Sequence, residues 1–390
     1  MNILTFTQLF PNALQPVSGI FIYQRILHFS RRPGNEVKVV APVPFIPRWL
    51  PSHSREIYKH IPEHEIIGGL AVDYPRYPHL PSVVMSAHGF LMFLGCYRLV
   101  AKLHRERRFD CIDSHFIYPD GFAAVLLGKM LGIPVFCSAR GTDITLYPSF
   151  RLIRPLIRWT LRRAAGIIAV SNSLKESMVN LGVPAEKIRV IGNGVDLKRF
   201  APMDRGEARR QLGLPEDSRM IVSVAGLHPH KGHQILISAL DEIRRQFPSL
   251  RLYVLGEGPY RPALQRLIAE KNLQEHVFLK GSRSNEELKF WYNAADLSCL
   301  SSAREGWPNV LLESLSCGTP VLATRVGGVP EVITSPELGL MVERSIQAIA
   351  EGLKTALRKS WNRDALVRYA RMRTWDDVAA EMERYLAQCL

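Results

Sequence analysis

Apolar runs alternate with helical spacing along this chain, and most of the runs end in a glycine-bearing turn. Residues 3–7, 37–40, 111–115, 135–138, 167–171 and 188–191 read as strands, as do 220–224, 252–255, 297–300 and 321–323. Helices are predicted from about Ile20, over 345–357 and around 376–386. Turns of this kind gather at the carboxyl ends of one parallel sheet, where open α/β folds bind ligands. Two stretches break the rhythm. Pro42, Pro44, Pro47, Pro51, Pro62, Pro75, Pro78 and Pro81 predict a long irregular segment over 42–81, of the kind that serves as a lid or binding surface. Residues 83–101 are largely apolar but contain His88, Gly89, Gly95 and Arg98, so a buried or interfacial helix is expected rather than a membrane span.

The stretch Ser302-Ala303-Arg304-Glu305-Gly306-Trp307-Pro308-Asn309-Val310-Leu311-Leu312-Glu313 organises the rest. It follows the strand at 297–300, turns through Gly306 and enters a helix with Pro308 at its first position, where a missing N–H is harmless. Gly318 and Pro320 stop that helix. A helix N-terminus after a strand suits a phosphate, because unpaired N–H groups and a positive dipole end meet there. Asn309 and Glu313 share a helix face, Leu311, Leu312 and Leu315 can pack inward, and Glu305 sits just ahead of the helix. Two carboxylates bracketing an anion site suit a ligand with both phosphate and hydroxyls, such as a sugar nucleotide. The turns Gly226 to Gly232, Gly256-Glu257-Gly258 and Gly327-Gly328 flank this stretch.

Composition narrows the setting. A chain of 390 residues with 47% hydrophobic content can build two domains, each with its own core. Residues 1–7 lack a basic leader and read as a first strand. The six cysteines show no CxxC or His-linked metal spacing, which suits reduced thiols in a cytoplasmic protein; no metal site and no cofactor are expected. Residues 1–200 carry 25 Lys and Arg against 13 Asp and Glu, while 201–390 carry 25 against 23, so the net +14 sits almost wholly in the first half. That half should face something anionic: membrane lipid on the inner face of the cell membrane, a pyrophosphate-linked acceptor, or nucleic acid. Of these, nucleic acid is not an expected partner. Arg151, Arg154, Arg158 and Arg162 recur at helical spacing beside Leu152, Ile153, Leu156, Ile157 and Trp159, which fits either a monotopic contact or an ordinary surface helix.

Glu305 and Glu313, with seven residues between them, resemble the EX7E motif of retaining glycosyltransferases of the GT-B fold, in the family 4 group. The likeness spans the chain and is closest over 221–342. The loop from Phe10-Pro11 to Gly19, with Tyr118-Pro119-Asp120-Gly121 and Arg140-Gly141-Thr142-Asp143, resembles bacterial enzymes that build exopolysaccharide, teichuronic or lipopolysaccharide chains. The resemblance implies two Rossmann-like, doubly wound α/β domains facing a cleft. Residues 1–200 would bind the acceptor, with a terminal helix at 375–390 returning to them, and 201–374 would bind the donor. Ala201-Pro202 marks the expected boundary.

The implied activity is retaining, metal-independent transfer of a hexose-type sugar from a UDP- or GDP-sugar to a glycan or polyprenyl-diphosphate-linked hydroxyl. Family likeness implies His115, Lys231 and Glu305 as catalytic, with Lys231 also facing the diphosphate and Glu305 the donor sugar. Gly19 would admit a donor phosphate. Gly256 and Glu257 form a donor-side turn, and 277–282, ending in Ser282, would meet the nucleobase. Gly306, Pro308 and Asn309 would contact sugar or phosphate, and Glu313 the ribose. Arg140 and Asp143 would meet the acceptor or the transferred sugar. Where the family carries Arg or Asn, this chain has Gly226, a departure that bears on donor affinity. Two other readings stay open on sequence: a GT-B sugar phosphorylase or nucleotide-sugar hydrolase, and a non-catalytic basic protein that binds membrane or nucleic acid.

Overall fold

The computed structural model describes residues 1–46, 58–79 and 85–390. They form two compact units, Met1–Asn193 with Trp375–Leu390, and Gly194–Thr374. The first unit thus ends at Asn193, ahead of the Ala201-Pro202 expected from sequence.

Among its described residues the first unit is built on ten strands. They are β1 Asn2–Phe6, β2 Glu36–Val40, β3 Val43–Phe45, β4 His64–Ile67, β5 Leu70–Asp73, β6 Arg76–Pro78, β7 Cys111–His115, β8 Val135–Ala139, β9 Gly166–Ala169 and β10 Ile188–Val190. Eight of them form one sheet in the order β10-β9-β8-β7-β1-β2-β5-β4, parallel throughout except for the β4·β5 pair. Strands β7 and β8 are buried at every position, as expected where helices cover both faces of a parallel sheet. The helix Trp375–Cys389 closes this unit and places Trp375, Val378, Met382 and Leu386 in its core.

The second unit holds β11 Arg219–Val224, β12 Leu250–Leu255, β13 Val277–Gly281, β14 Leu297–Leu300, β15 Val321–Thr324 and β16 Gly339–Val342. These six run parallel in the order β13-β12-β11-β14-β15-β16. Both sheets show the doubly wound order, in which the strand sequence reverses part-way across.

Three sequence expectations need correcting. The described part of 42–81 is not irregular: β4 and β5 extend the main sheet and β3 pairs with β6 in a two-stranded ribbon. Its prolines are compatible with strands because Pro44 and Pro78 sit on that ribbon, where each strand has a single partner among the described residues. Pro47, Pro51 and Pro81 lie outside the described residues. The helix after Gly306 runs Asn309–Ser316, so Pro308 precedes it as the capping residue, with ψ of 79°. Arg151 falls ahead of the helix Arg154–Arg163. The apolar stretch near 90 becomes the helix His88–Arg107, and no helix among the described residues is long and apolar enough to cross a membrane.

Candidate active site

The expected donor-side residues of the second unit come from the carboxyl ends of β11, β12, β13 and β14, with Glu313 on the helix that follows β14. Lys231 follows β11 in a short 3-10 turn, and Glu305 follows β14; Lys231 Nζ lies 2.7 Å from Glu305 Oε1, with both side chains largely covered. Their loops are clamped together. Ala303 N–H donates to His230 O at 2.7 Å, and Ser301 Oγ donates to Lys231 O at 3.1 Å.

Two glycines make that clamp sterically feasible. Gly232 has φ 75°, and a Cβ there would lie 2.0 Å from Ser301 O. Gly327 has φ 52°, and its Cβ would lie 1.8 Å from Glu305 O. Both positions need a left-handed backbone and allow no side chain. The glutamate and the lysine are therefore held by backbone packed against backbone.

Glu313 sits in the first turns of the helix Asn309–Ser316 and accepts a 2.8 Å hydrogen bond from Tyr292 Oη. Burial pushes its carboxyl up to about 7, opposed by the Tyr292 bond and by Arg199. A carboxyl with a raised folded-state pKa contributes stability that is complete below its unfolded value of 4.5 and is lost as pH rises through about 7. Glu313→Gln keeps an oxygen for Tyr292 and removes the titration. Between about pH 5 and about pH 8 it should therefore lose less stability than the parent, by about 1–3 kcal/mol. Urea unfolding at the two pH values checks this, and equal losses in the two proteins would contradict it.

Gly256 lies against Ala225, where a Cβ would fall 2.0 Å from the carbonyl oxygen, and its N–H donates to Gly281 O at 2.9 Å. Glu257 is exposed and pairs with Arg261 at 2.8 Å, while Ser282 is exposed just after β13. Pro308 has no N–H to offer, and the Asn309 N–H donates to Trp307 O at 3.1 Å, which narrows the backbone donors of this turn. Gly306 is half-buried between them and Glu305. Gly226, expected from sequence to replace an Arg or Asn, abuts His228, whose Cδ2 would be 3.3 Å from an added Cβ. The His228 and His230 rings stack with centroids 5.6 Å apart.

The expected residues of the first unit gather at the ends of β1, β7 and β8. Gly19, at φ 62°, packs against Leu9 O and opens the helix Ile20–Ser30. His115 closes β7 and is fully buried. Its Nδ1 accepts from Arg140 Nη2 at 2.5 Å, and its Nε2 lies 3.1 Å from Asp113 Oδ2, an ion-pair distance without good hydrogen-bond alignment. Burial pushes the imidazole down to about 4, with Asp113 opposing and Arg140 reinforcing the shift, so the ring is neutral near pH 7. Arg140 also donates to Asn193 Oδ1 at 3.2 Å. Asp143 is fully buried and accepts from the N–H groups of Ile117, Gly141 and Arg140 at 2.8, 2.8 and 3.2 Å. Its carboxylate thus stitches the loops after β7 and β8 together.

Residues 204–373 match the family described as Glycosyl transferases group 1, and residues 24–199 match Glycosyltransferase Family 4. The chain is 32% identical over 323 residues to a D-inositol 3-phosphate glycosyltransferase of Thermobispora bispora, covering 76% of this chain and 75% of the relative. The chain belongs to glycosyltransferase family 4. This family 4 glycosyltransferase is also 29% identical over 360 residues to the putative teichuronic acid biosynthesis glycosyltransferase TuaC of Bacillus subtilis (strain 168), covering 90% of this chain and 88% of that one. Sucrose-phosphate synthase from Thermosynechococcus elongatus shares its fold with a TM-score of 0.80 at 20% identity, over 99% of this chain and 98% of that one. The fold is GT-B.

Several residues of this family 4 enzyme escaped the sequence reading. Asp113 was findable, because it lies two positions before His115 and alternate residues of a strand share a face. Tyr292 carried no signal, since its link to Glu313 joins two helices 21 positions apart in sequence. Asn193 reads as a turn residue and became a partner of Arg140 only through the fold.

Proposed function

We propose that the protein moves a hexose-type sugar from a nucleoside-diphosphate sugar, UDP or GDP, to a hydroxyl of a glycan or polyprenyl-diphosphate-linked acceptor. The anomeric configuration is retained. The observation that carries this reading is the Lys231–Glu305 contact of 2.7 Å, held at the ends of β11 and β14 between glycines that admit no side chain. Lys231 faces the diphosphate, Glu305 the hydroxyls of the transferred sugar, and Glu313 the ribose.

The bond from the anomeric carbon to the diphosphate breaks, and a bond from the acceptor oxygen forms on the same face. The acceptor proton passes to the departing diphosphate. Charge grows on that diphosphate, and the Lys231 ammonium with the N-terminus of the helix Asn309–Ser316 offsets it, so no metal ion is required. The first unit takes the acceptor. Arg140 supplies countercharge there, and His115 works by orienting it. The teichuronic acid role in the name of one relative supports a place in cell-surface polysaccharide synthesis. Exposed Phe150 and Leu152, beside the arginines at 151–163, support peripheral contact with an anionic membrane face.

The test is incubation with UDP- and GDP-hexoses and a lipid-linked diphosphate acceptor. Acceptor-dependent release of the nucleoside diphosphate, with an NMR coupling showing the donor's own anomeric configuration in the product, is expected. An inverted product, or equal release without acceptor, would contradict the reading.

A further inference from the structure

The amino ends of the central strands in the second unit carry a cavity of about 290 Å³ whose lining is strongly basic. Arg219 opens β11, Asp296 immediately precedes β14, and Pro320 immediately precedes β15, so this cavity lies at the sheet edge opposite Lys231 and Glu305. Arg205, Arg219, Lys359 and Arg363 line it with one carboxylate, Asp296, and the indole of Trp361.

That carboxylate is already shared. Asp296 pairs with Arg205 and with Arg209, and it accepts from the Met220 N–H at 2.7 Å. The remaining cations end on carbonyls: Arg219 on Leu357 O at 2.6 Å, Lys359 on Pro336 O at 2.5 Å and Arg363 on Cys317 O at 3.2 Å. A carbonyl satisfies an N–H but cancels no charge, so the cavity keeps an excess of positive charge. The Arg205 Nε is buried with no partner, and burial together with the Arg205 charge lowers the Arg363 pKa. Lys359 Nζ sits 4.1 Å from the centre of the Trp361 ring, leaving a flat apolar wall beside the cations.

We propose that this cavity is a second anion site, separate from the donor site, that takes a phosphate dianion, either inorganic or carried on a small organic molecule. A phosphate would supply the missing negative charge and accept in bidentate fashion from the guanidinium groups. The volume exceeds that of a bare phosphate, so a short organic tail also fits against Trp361.

The experiment uses the full chain labelled with 5-fluorotryptophan, its Trp361 resonance assigned by Trp361→Phe. Inorganic phosphate and glycerol 3-phosphate are titrated separately, with sodium chloride at matched ionic strength as the control. A saturable shift of the Trp361 resonance with phosphate is expected, retained in Lys231→Ala and weakened roughly tenfold in Arg219→Ala/Lys359→Ala. Tighter binding of glycerol 3-phosphate would identify an organic ligand, and equal binding would identify phosphate itself. If the double variant fails to fold, Lys359→Gln alone serves, with a weakening of about threefold expected. The proposal is overturned if the resonance follows sodium chloride equally. It is also overturned if the shift vanishes in Lys231→Ala while surviving the cavity substitutions.

Discussion

Lys231→Ala is expected to lower turnover by about a hundredfold or more, roughly 3 kcal/mol of transition-state stabilisation, with the chain still folded. The ammonium is the cation that the loops after β11 and β14 hold 2.7 Å from Glu305. In the proposed reaction its effect would grow as charge develops on the departing diphosphate, so kcat should fall more than KM rises. Stability should also fall, by roughly 1–3 kcal/mol, because Glu305 is only 11% exposed and its carboxylate is left without its partner. Glu305→Ala should also reduce turnover at least about tenfold, through lost hold on the sugar hydroxyls. Steady-state kinetics on folded protein checks both, and near-normal turnover in the two variants would contradict the site.

Gly327→Ala is expected to be the most damaging small substitution in the second unit. The residue stands at φ 52°, and an added Cβ would lie 1.8 Å from the Glu305 carbonyl oxygen. Backbone cannot yield as a flexible side chain does, so the Glu305 loop must move. A loss of roughly 2–4 kcal/mol in stability is expected, together with reduced turnover in the protein that remains folded. Gly226→Ala is the internal comparison. Its nearest obstacle is the edge of the His228 ring at 3.3 Å, a side chain that can shift, so a change within about 1 kcal/mol is expected. Equal effects at the two glycines, measured by urea unfolding, would show that the clamp behind Glu305 is not required.

Most strands were legible because buried parallel strands are nearly pure apolar runs; 297–300 matches β14 in full, and 220–224 falls inside β11. Glycine turns were legible for the same reason that they are needed, since Gly232 and Gly327 stand where only a bare backbone fits. The region after Val40 was misread because proline was counted as a breaker without regard to its neighbours. Pro44 and Pro78 lie on a ribbon whose strands have one partner each among the described residues, and no local pattern reveals that. The charged cluster of the first unit was only half legible. His115, Arg140 and Asp143 stood out as strand-end residues, but their mutual use was not visible. Arg140 reaches His115 and Asn193, while Asp143 turns to backbone N–H groups instead. Such pairings depend on which loops the sheet order places side by side, and sequence spacing does not record that.

The most direct test of the central claim is thermal unfolding of parent and Lys231→Ala proteins with UDP, GDP, ADP and the corresponding sugar nucleotides. A ligand bound only by the folded chain raises the midpoint by mass action, by about 2.7 kcal/mol of stability at a hundred times its dissociation constant. A rise in the parent with UDP or GDP and its sugars, much reduced in Lys231→Ala, is the result expected of a donor site built around Lys231 and Glu305. No rise with any nucleotide at millimolar concentration, or an equal rise in both proteins, would contradict it.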